Sequence, residues 1–458
     1  MQIFDLVVIG GGSAGLKAAR TAARSGYRVA LVEEQQLGGE CFWAGCVPTK
    51  AMLRAAEVWH LARKASDFGL EVSVRHARFA AAMAYRYRAT RKVGGDGPED
   101  AGLSAIGVAC FHTTARFEGP HDIRVGDRVI RGEKIILATG TVPVVPPIPG
   151  LQEAGFITNR EAVHLKALPG RLLVLGAGPI GLEFAQAFRR FGAEVTVVEV
   201  ASTVLPREDP EIAARVEQYL KDEGIRVLTG AQMEQVTRSG GARQVQVRTA
   251  TGDVLIPCDE ILVAVGRRAA IDRLNLPAAG LPADRRFVVT DPYLRTGVPH
   301  ILAPGDINGG HLYTHVASYQ GRIAAHNAFA DSPEPVDLRV VPRATFLDPE
   351  VASVGLTEPE ALAQNRKIAV YTFDFAHSDR AILHGDARGL VKLIADAADG
   401  QILGGHIVGP HASSLIAEVT LAMRHHLPVQ AIADTMHTYP TFPEAIESAA
   451  LSSPVYRG

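Results

Sequence analysis

A short apolar run, "FDLVVIG" from residue 4, gives way to glycines and then to an Ala-rich stretch studded with basic residues that ends at Gly26. A second apolar run, "RVALVEE", closes on Glu33 and Glu34. This order predicts a buried strand, a tight turn, a helix stopped by glycine, and a second buried strand. The order recurs in "GRLLVLGAGPIGLEFAQAFRRFGAEVTVVEV" from residue 170, where Gly192 stops the helix and Glu199 ends the strand. Gly10 and Gly176, Gly26 and Gly192, and Glu33 and Glu199 share a single offset of 166 residues. The chain therefore carries two copies of one βαβ unit.

The turn of each copy reads G-x-G-x-x-G: Gly10, Gly12 and Gly15, then Gly176, Gly178 and Gly181. The first glycine permits the tight turn and the second lets a pyrophosphate approach the backbone. The third lets helix pack on strand. The helix N-terminus stabilises the phosphate charge. Each glutamate lies 18 residues after its third glycine, placed to accept hydrogen bonds from a ribose. Two dinucleotide sites in one chain imply electron transfer between two dinucleotides, with a flavin as the natural partner of a nicotinamide. The Glu199 carboxylate would repel a 2′-phosphate, and Val200-Ala201-Ser202 offers no basic residue to bind one, so NADH is favoured over NADPH.

Length and charge narrow the rest. At 458 residues, with 47 basic and 49 acidic side chains, the chain is long enough for about three domains and carries no nucleic-acid footprint. The densest basic run, "YRYRATRK" at 85–92, reads as the solvated face of a helix. No window of 18 apolar residues exists, so no membrane span is expected. The first strand starts at residue 3 and leaves no room for an export signal, which makes the cytoplasm the expected compartment.

Thiols are held reduced in the cytosol, so the close pair Cys41 and Cys46 reads as redox or metal chemistry. Four cysteines without a second pair, and sixteen scattered histidines, do not make a zinc site, and no metal is expected. Cys110 and Cys258 read as buried small hydrophobes. In a regular helix, residues five apart stand roughly 8–9 Å from each other. A disulfide tolerates at most about 7 Å between its Cα atoms. The segment "GGECFWAGCVPTK" (38–50) must therefore be a loop or broken helix, with Gly45 supplying freedom. Pro48 suits the first turn of a following helix, so Cys46 would lie near a helix N-terminus that stabilises its thiolate.

Taken together, the repeat and "GGECFWAGCVPTK" resemble the pyridine nucleotide–disulfide oxidoreductases, in the branch of dihydrolipoamide dehydrogenase, glutathione reductase and mercuric reductase. "ILATGT", "VAVGRR", "ILAPGDI", "FLDPEVASVGLTE" and "ILGGHIVGP" extend the resemblance over the full length. It implies an α/β fold with two Rossmann-like domains and a C-terminal α+β dimerisation domain. Residues 1–147 would bind FAD, 148–266 would bind NAD, 267–335 would complete the FAD domain, and 336–458 would form a homodimer interface. Electrons would pass between NADH, FAD, a Cys41–Cys46 disulfide and a thiol or disulfide substrate. Cys41 would be the interchange thiol and Cys46 the thiol against the flavin, with Lys50 and Glu183 paired near flavin N5. The implied FAD contacts are Gly10, Gly12, Ser13, Ala14, Gly15, Glu33, Gly39, Lys50, Thr139, Gly140, Asp306 and Ala317. Those for NAD are Gly176, Gly178, Ile180, Gly181, Glu199 and Gly266.

The resemblance breaks at "MHTYPTFPEAIE" (436–447). The family reads His-Pro-Thr with a Glu to orient the His; here, aligned on Pro440 and Glu444, the position of that acid/base holds Tyr439. In extended chain His437 would point the same way as Tyr439. The alternatives are a mercuric reductase-like enzyme, although no cysteine follows Cys258 to deliver the ion, and a low-turnover flavoprotein redox sensor.

Overall fold

The computed structural model describes residues 1–73, 78–94, 101–239 and 242–458. The chain divides into two compact units. The first comprises residues 1–51, 84–144 and 266–337, and the second comprises 52–83, 145–265 and 338–458.

In the first unit, β1 (Gln2–Ile9), α1 (Ser13–Arg24) and β2 (Val29–Glu33) form the first of the repeated βαβ units. Strand β1 pairs in parallel with β2 and with Arg128–Leu137. The seven-stranded sheet runs Ala109–His112, β2, β1, Arg128–Leu137, Asp122–Val125 and Ala115–Phe117, with Ile301–Leu302 joined in parallel to Arg128–Leu137. Leu6, Val7 and Val8 are wholly buried, as expected of a parallel strand covered on both faces.

Helix α1 presents Ala14, Gly15, Ala18, Ala19 and Ala22 to the interior. Such small residues let the helix Thr314–Asn327 cross it closely: a Cβ on Gly321 would fall 2.2 Å from the Ala14 carbonyl oxygen. Any side chain at 321 would push that helix, and Thr314 at its head, away from the turn after β1.

The second unit holds the second copy. Its parallel sheet runs Arg226–Leu228, Glu194–Val198, Arg171–Leu175 and Glu260–Val263, with the helix Pro179–Phe191 between the first two strands in sequence. A three-stranded antiparallel sheet (Gln232–Ser239, Ala242–Thr249, Gly252–Cys258) and a six-stranded antiparallel sheet from Arg343 to Arg457 complete it. Helix Ala412–Arg424 lies on the latter sheet through Leu415, Ile416 and Val419. No described helix is long and apolar enough to cross a membrane.

The basic run at 85–92 is helical, within Phe79–Gly94, but it is not wholly a solvated face. Arg88, Arg91 and Lys92 are exposed, whereas Arg86 and Thr90 are buried. They continue the stripe begun by Phe79 and Met83 at intervals of three and four residues, which fixes them on the inner side.

Candidate active site

The two dinucleotide turns have the same construction. A Cβ on Gly10 would meet the Ala138 carbonyl oxygen at 2.4 Å, and one on Gly176 would meet that of Ala264 at 2.6 Å. Both glycines take positive φ, +104° and +106°. The third glycines press helix onto strand: a Cβ on Gly15 would lie 1.8 Å from the Gly10 oxygen, and one on Gly181 2.0 Å from that of Gly176. Glu33 accepts the N–H groups of Gly11 (2.6 Å) and Gln35 (2.8 Å). Its counterpart Glu199 accepts those of Ala177 (2.7 Å) and Ala201 (2.8 Å), again 166 residues later. These backbone bonds fix each carboxylate at its strand end.

Several features fit bound dinucleotides. Helix α1 and the helix Pro179–Phe191 start from Gly12 and Gly178 with no side-chain cap and no acid in the first turn, leaving their N–H groups to an anion. A Cβ on Gly178 or Gly140 would meet nothing within 4 Å. Thr139 Oγ1, at the end of the Arg128–Leu137 strand, is buried without a hydrogen-bond partner, a position that a cofactor oxygen would satisfy.

The first unit holds all of the expected FAD contacts. Gly39 presses on Gly12, its Cβ position 2.8 Å from the Gly12 Cα, while Gly305 fits against Ala14 and Ala317. Asp306 follows directly, its carboxyl raised above the ordinary range by burial, with Arg267 opposing and Glu40 adding to the rise. Ser13 opens α1. In the second unit Ile180 is 37 % exposed beside the second turn. Gly266, expected with the NAD residues, falls in the first unit, where its carbonyl accepts the Val144 N–H.

The cysteine segment is a broken helix. α2 (Gly39–Trp43) ends, Ala44 and Gly45 intervene, and α3 (Cys46–Arg63) begins on the second cysteine. Gly38 and Gly39, with φ of +106° and +65°, make the entry turn, and Trp43 Nε1 donates to the Leu37 carbonyl at 2.8 Å. Gly45 serves a different purpose from the one expected. Its φ is ordinary, but a Cβ there would lie 3.0 Å from the Glu40 oxygen and 3.1 Å from the Cys41 Cα. Close approach of the two cysteine-bearing segments is what demands glycine.

The Cys41 thiol hydrogen-bonds with Cys46, and that bond, followed by burial, pushes its pKa up. Cys46, at the N-terminus of α3, is the sulfur placed to carry charge. Thr314 Oγ1 donates to Cys41 Sγ at 2.9 Å and lies 3.7 Å from Cys46 Sγ. Glu40, next to Cys41, pairs with Arg267 at 3.2 Å, and Arg267 also donates to Thr141. By contrast Cys258 is buried, its thiol pushed up to about 11 by desolvation, and is inert at neutral pH.

Lys50 lies one turn along α3 from Cys46. Glu183 lies in the second unit, buried on the helix Pro179–Phe191, with its carboxylate accepting the Phe346 N–H at 2.9 Å.

In the C-terminal segment His437 and Tyr439 part company, contrary to the extended-chain expectation. His437 turns inward to Glu418 (2.9 Å), the Thr435 carbonyl (2.9 Å) and Glu447 (3.5 Å), because two carboxylates outcompete solvent for the imidazole. Tyr439 is 69 % exposed, and its hydroxyl donates to Asp379 at 3.0 Å. Glu444 does not hold the Tyr439 ring; it accepts the Thr441 N–H at 2.5 Å and caps its own turn. Asp379 keeps the phenol protonated, raising its pKa above the ordinary value.

Thr314, Gln320, Arg267 and Asp379 were not singled out in the sequence. Gln320, buried on the same helix as Thr314, accepts the Gly305 N–H at 2.7 Å and so steadies the turn that carries Asp306.

Residues 4–321 match the pyridine nucleotide-disulphide oxidoreductase family, and residues 341–450 match its dimerisation domain. A dihydrolipoyl dehydrogenase of Chlorobaculum parvum is 38 % identical, over 98 % of this chain and 97 % of its own. A mercuric reductase of Staphylococcus aureus is 33 % identical, over 98 % of this chain and 82 % of its own. The solved structure of the HOCl-induced flavoprotein disulfide reductase RclA from Escherichia coli superposes with a TM-score of 0.86. It is 32 % identical, over 97 % of this chain and 99 % of that one. The likeness to these proteins thus runs over nearly the full length of the chain, and the chain belongs to the pyridine nucleotide–disulphide oxidoreductases, as an FAD-dependent, dihydrolipoyl dehydrogenase-like enzyme.

Proposed function

We propose that the protein uses NADH and exchanges electrons with a small or protein-bound thiol–disulfide substrate through Cys41 and Cys46. The observation that carries this reading is the cysteine pair itself: two sulfurs in hydrogen-bonding contact, one on α2 and one opening α3, in the unit that holds the first dinucleotide turn. Bound FAD supplies two-electron exchange between a nicotinamide and a dithiol. The turn Gly10–Gly15 and the head of α1 bind its pyrophosphate, Glu33 its ribose, and Gly39, Thr139, Gly140, Asp306 and Ala317 line its site. Cys46 would be the sulfur that faces the flavin, its thiolate favoured by the α3 terminus, with Lys50 one turn away on the same helix. Cys41 exchanges with substrate. Steady-state NADH oxidation against a panel of disulfides, quinones and Hg²⁺ tests this; turnover with no disulfide overturns it.

Hg²⁺ belongs in the panel because Tyr439, neutral and exposed, can bind a sulfur-held metal ion but cannot shuttle protons, and because mercuric reductases are among the relatives. Turnover with the ion alone would favour that second reading.

NADH preference follows from Glu199, whose carboxylate is pinned by two backbone N–H groups and cannot swing away from a 2′-phosphate. kcat/KM for NADH should exceed that for NADPH by about tenfold or more. Glu199→Ala with Ala201→Arg should reverse the order by removing repulsion and adding a phosphate partner. Equal values in the parent enzyme would refute the assignment.

The dimerisation domain supports a homodimer in which the Tyr439 segment of one subunit serves the cysteines of the other. Sedimentation should give about twice the 48.8 kDa chain mass. A fully active monomer would contradict the proposal.

A further inference from the structure

We propose that Thr314 is a catalytic hydrogen-bond donor whose hydroxyl stabilises the thiolate of Cys41 when that sulfur attacks a disulfide. This deepens the function proposed above and rests on it for the identity of the attacking sulfur.

The geometry carries the assignment. Thr314 is the first residue of the helix Thr314–Asn327, 273 positions from Cys41 in sequence. It reaches the sulfur because Gly321 lets that helix cross α1 almost backbone to backbone, and because Gln320 ties the helix to the Gly305 turn. The backbone N–H of Tyr313 is drawn to the His311 carbonyl at 3.0 Å, which shapes the approach to the helix. The hydroxyl is therefore held from the backbone side. It donates to Cys41 Sγ at 2.9 Å, short for a sulfur acceptor, and stands 3.7 Å from Cys46 Sγ. A threonine hydroxyl has one proton to donate, and here it is spent on Cys41. A hydrogen bond to a sulfur strengthens when the sulfur gains charge. The bond therefore favours the charged over the neutral form of Cys41, opposing the contact with Cys46 and the burial that hold the proton there.

The step balances. Cys41 gives up its proton, and its thiolate, with Thr314 donating to it, attacks one sulfur of R–S–S–R. A Cys41–S–S–R bond forms, the substrate S–S bond breaks, and RS⁻ leaves to take up a proton. Cys46 thiolate then attacks Cys41 Sγ, forming the Cys41–Cys46 disulfide and releasing the second RS⁻, which is protonated in turn. Two electrons pass from the cysteine pair to the substrate.

The test is alkylation of the two-electron-reduced holoenzyme by iodoacetamide, with Cys41 labelling followed by peptide mass across pH 5.5 to 9. Thr314→Val should move the midpoint of Cys41 labelling up by about one pH unit and slow it about tenfold at pH 7. Thr314→Ser should label within about twofold of the parent, because it keeps the donor. Thr314 is exposed, so neither change opens a core cavity, and Thr314→Ala carries the same expectation as Val should Val fold poorly. A Val or Ala profile superimposed on the parent's, or a Ser profile matching Val's, overturns the proposal. The assay needs no substrate. An enzyme that reduces disulfides but shows no such split sinks the role of Thr314 alone, whereas the split in a protein that reduces no disulfide sinks the proposed substrate class alone.

Discussion

Replacing either redox cysteine should abolish disulfide turnover, by about 10³-fold or more, yet the two variants should look different in the spectrometer. Cys46→Ala removes the sulfur that opens α3 and carries the charge, so NADH reduction should give no long-wavelength thiolate–flavin absorbance. Cys41→Ala removes the partner sulfur and leaves Cys46 unable to form a disulfide. Its thiolate, still stabilised by the α3 terminus, should show that absorbance without any reductant. The asymmetry follows from the placing of the two sulfurs: Cys46 opens α3, where a thiolate is stabilised, while contact with Cys46 and burial push the Cys41 pKa up. Anaerobic titration of both variants checks it. A band that survives Cys46→Ala and vanishes in Cys41→Ala would exchange the two roles, and a purified protein without flavin would remove the basis for both.

The broken helix that carries these sulfurs was legible in one stretch of sequence, because what it depends on is local: the glycines and the proline lie within 38–50. The doubled dinucleotide turn was legible for a similar reason, since strand, glycines, helix and acid occur in one run of about thirty residues in each copy. Even there the reason for Gly45 escaped, because close packing on Cys41 is a matter of approach and not of φ. Thr314 and Asp379 escaped altogether. Each touches its partner across a long stretch of chain, 273 residues for Thr314 to Cys41 and 60 for Tyr439 to Asp379. Neither lies in a pattern that signals chemistry, since a threonine after Tyr313 reads as an ordinary helix start. His437 shows the converse. Strand alternation set it beside Tyr439, but Glu418 and Glu447, on other turns of the fold, draw its ring inward, and the alternation of an isolated segment carries no trace of them.

Tyr439→His should raise dihydrolipoamide oxidation at pH 7 by about 10²-fold, the usual contribution of a well-placed general base. In the parent chain Tyr439 is neutral and its hydroxyl already donates its one hydrogen bond to Asp379. Asp379 raises the phenol pKa further above its ordinary value near 10, so between pH 7 and 9 the group does not titrate. It neither takes a proton from an incoming dithiol nor delivers one. Oxidation must then wait for the substrate thiols to ionise unaided, near pH 8.5 for an unperturbed thiol. Parent activity should therefore climb about tenfold per pH unit from pH 6 to 8 and level off above that. An imidazole at 439, with an ordinary pKa near 6.5, would remove the thiol proton itself and flatten the profile across the same range. Asp379 sits where it can accept from the new ring, as it now accepts from the phenol, so the substitution brings its orienting carboxylate with it. Tyr439→Phe should cost little in dithiol oxidation, because the phenol is not the base, while His437→Ala should act through stability, by leaving Glu418 and Glu447 without their shared partner. A parent enzyme that oxidises dihydrolipoamide at an undiminished rate, flat from pH 7 to 9, would show that a base is already in place. Loss of that activity in His437→Ala at unchanged melting temperature would identify the base as His437.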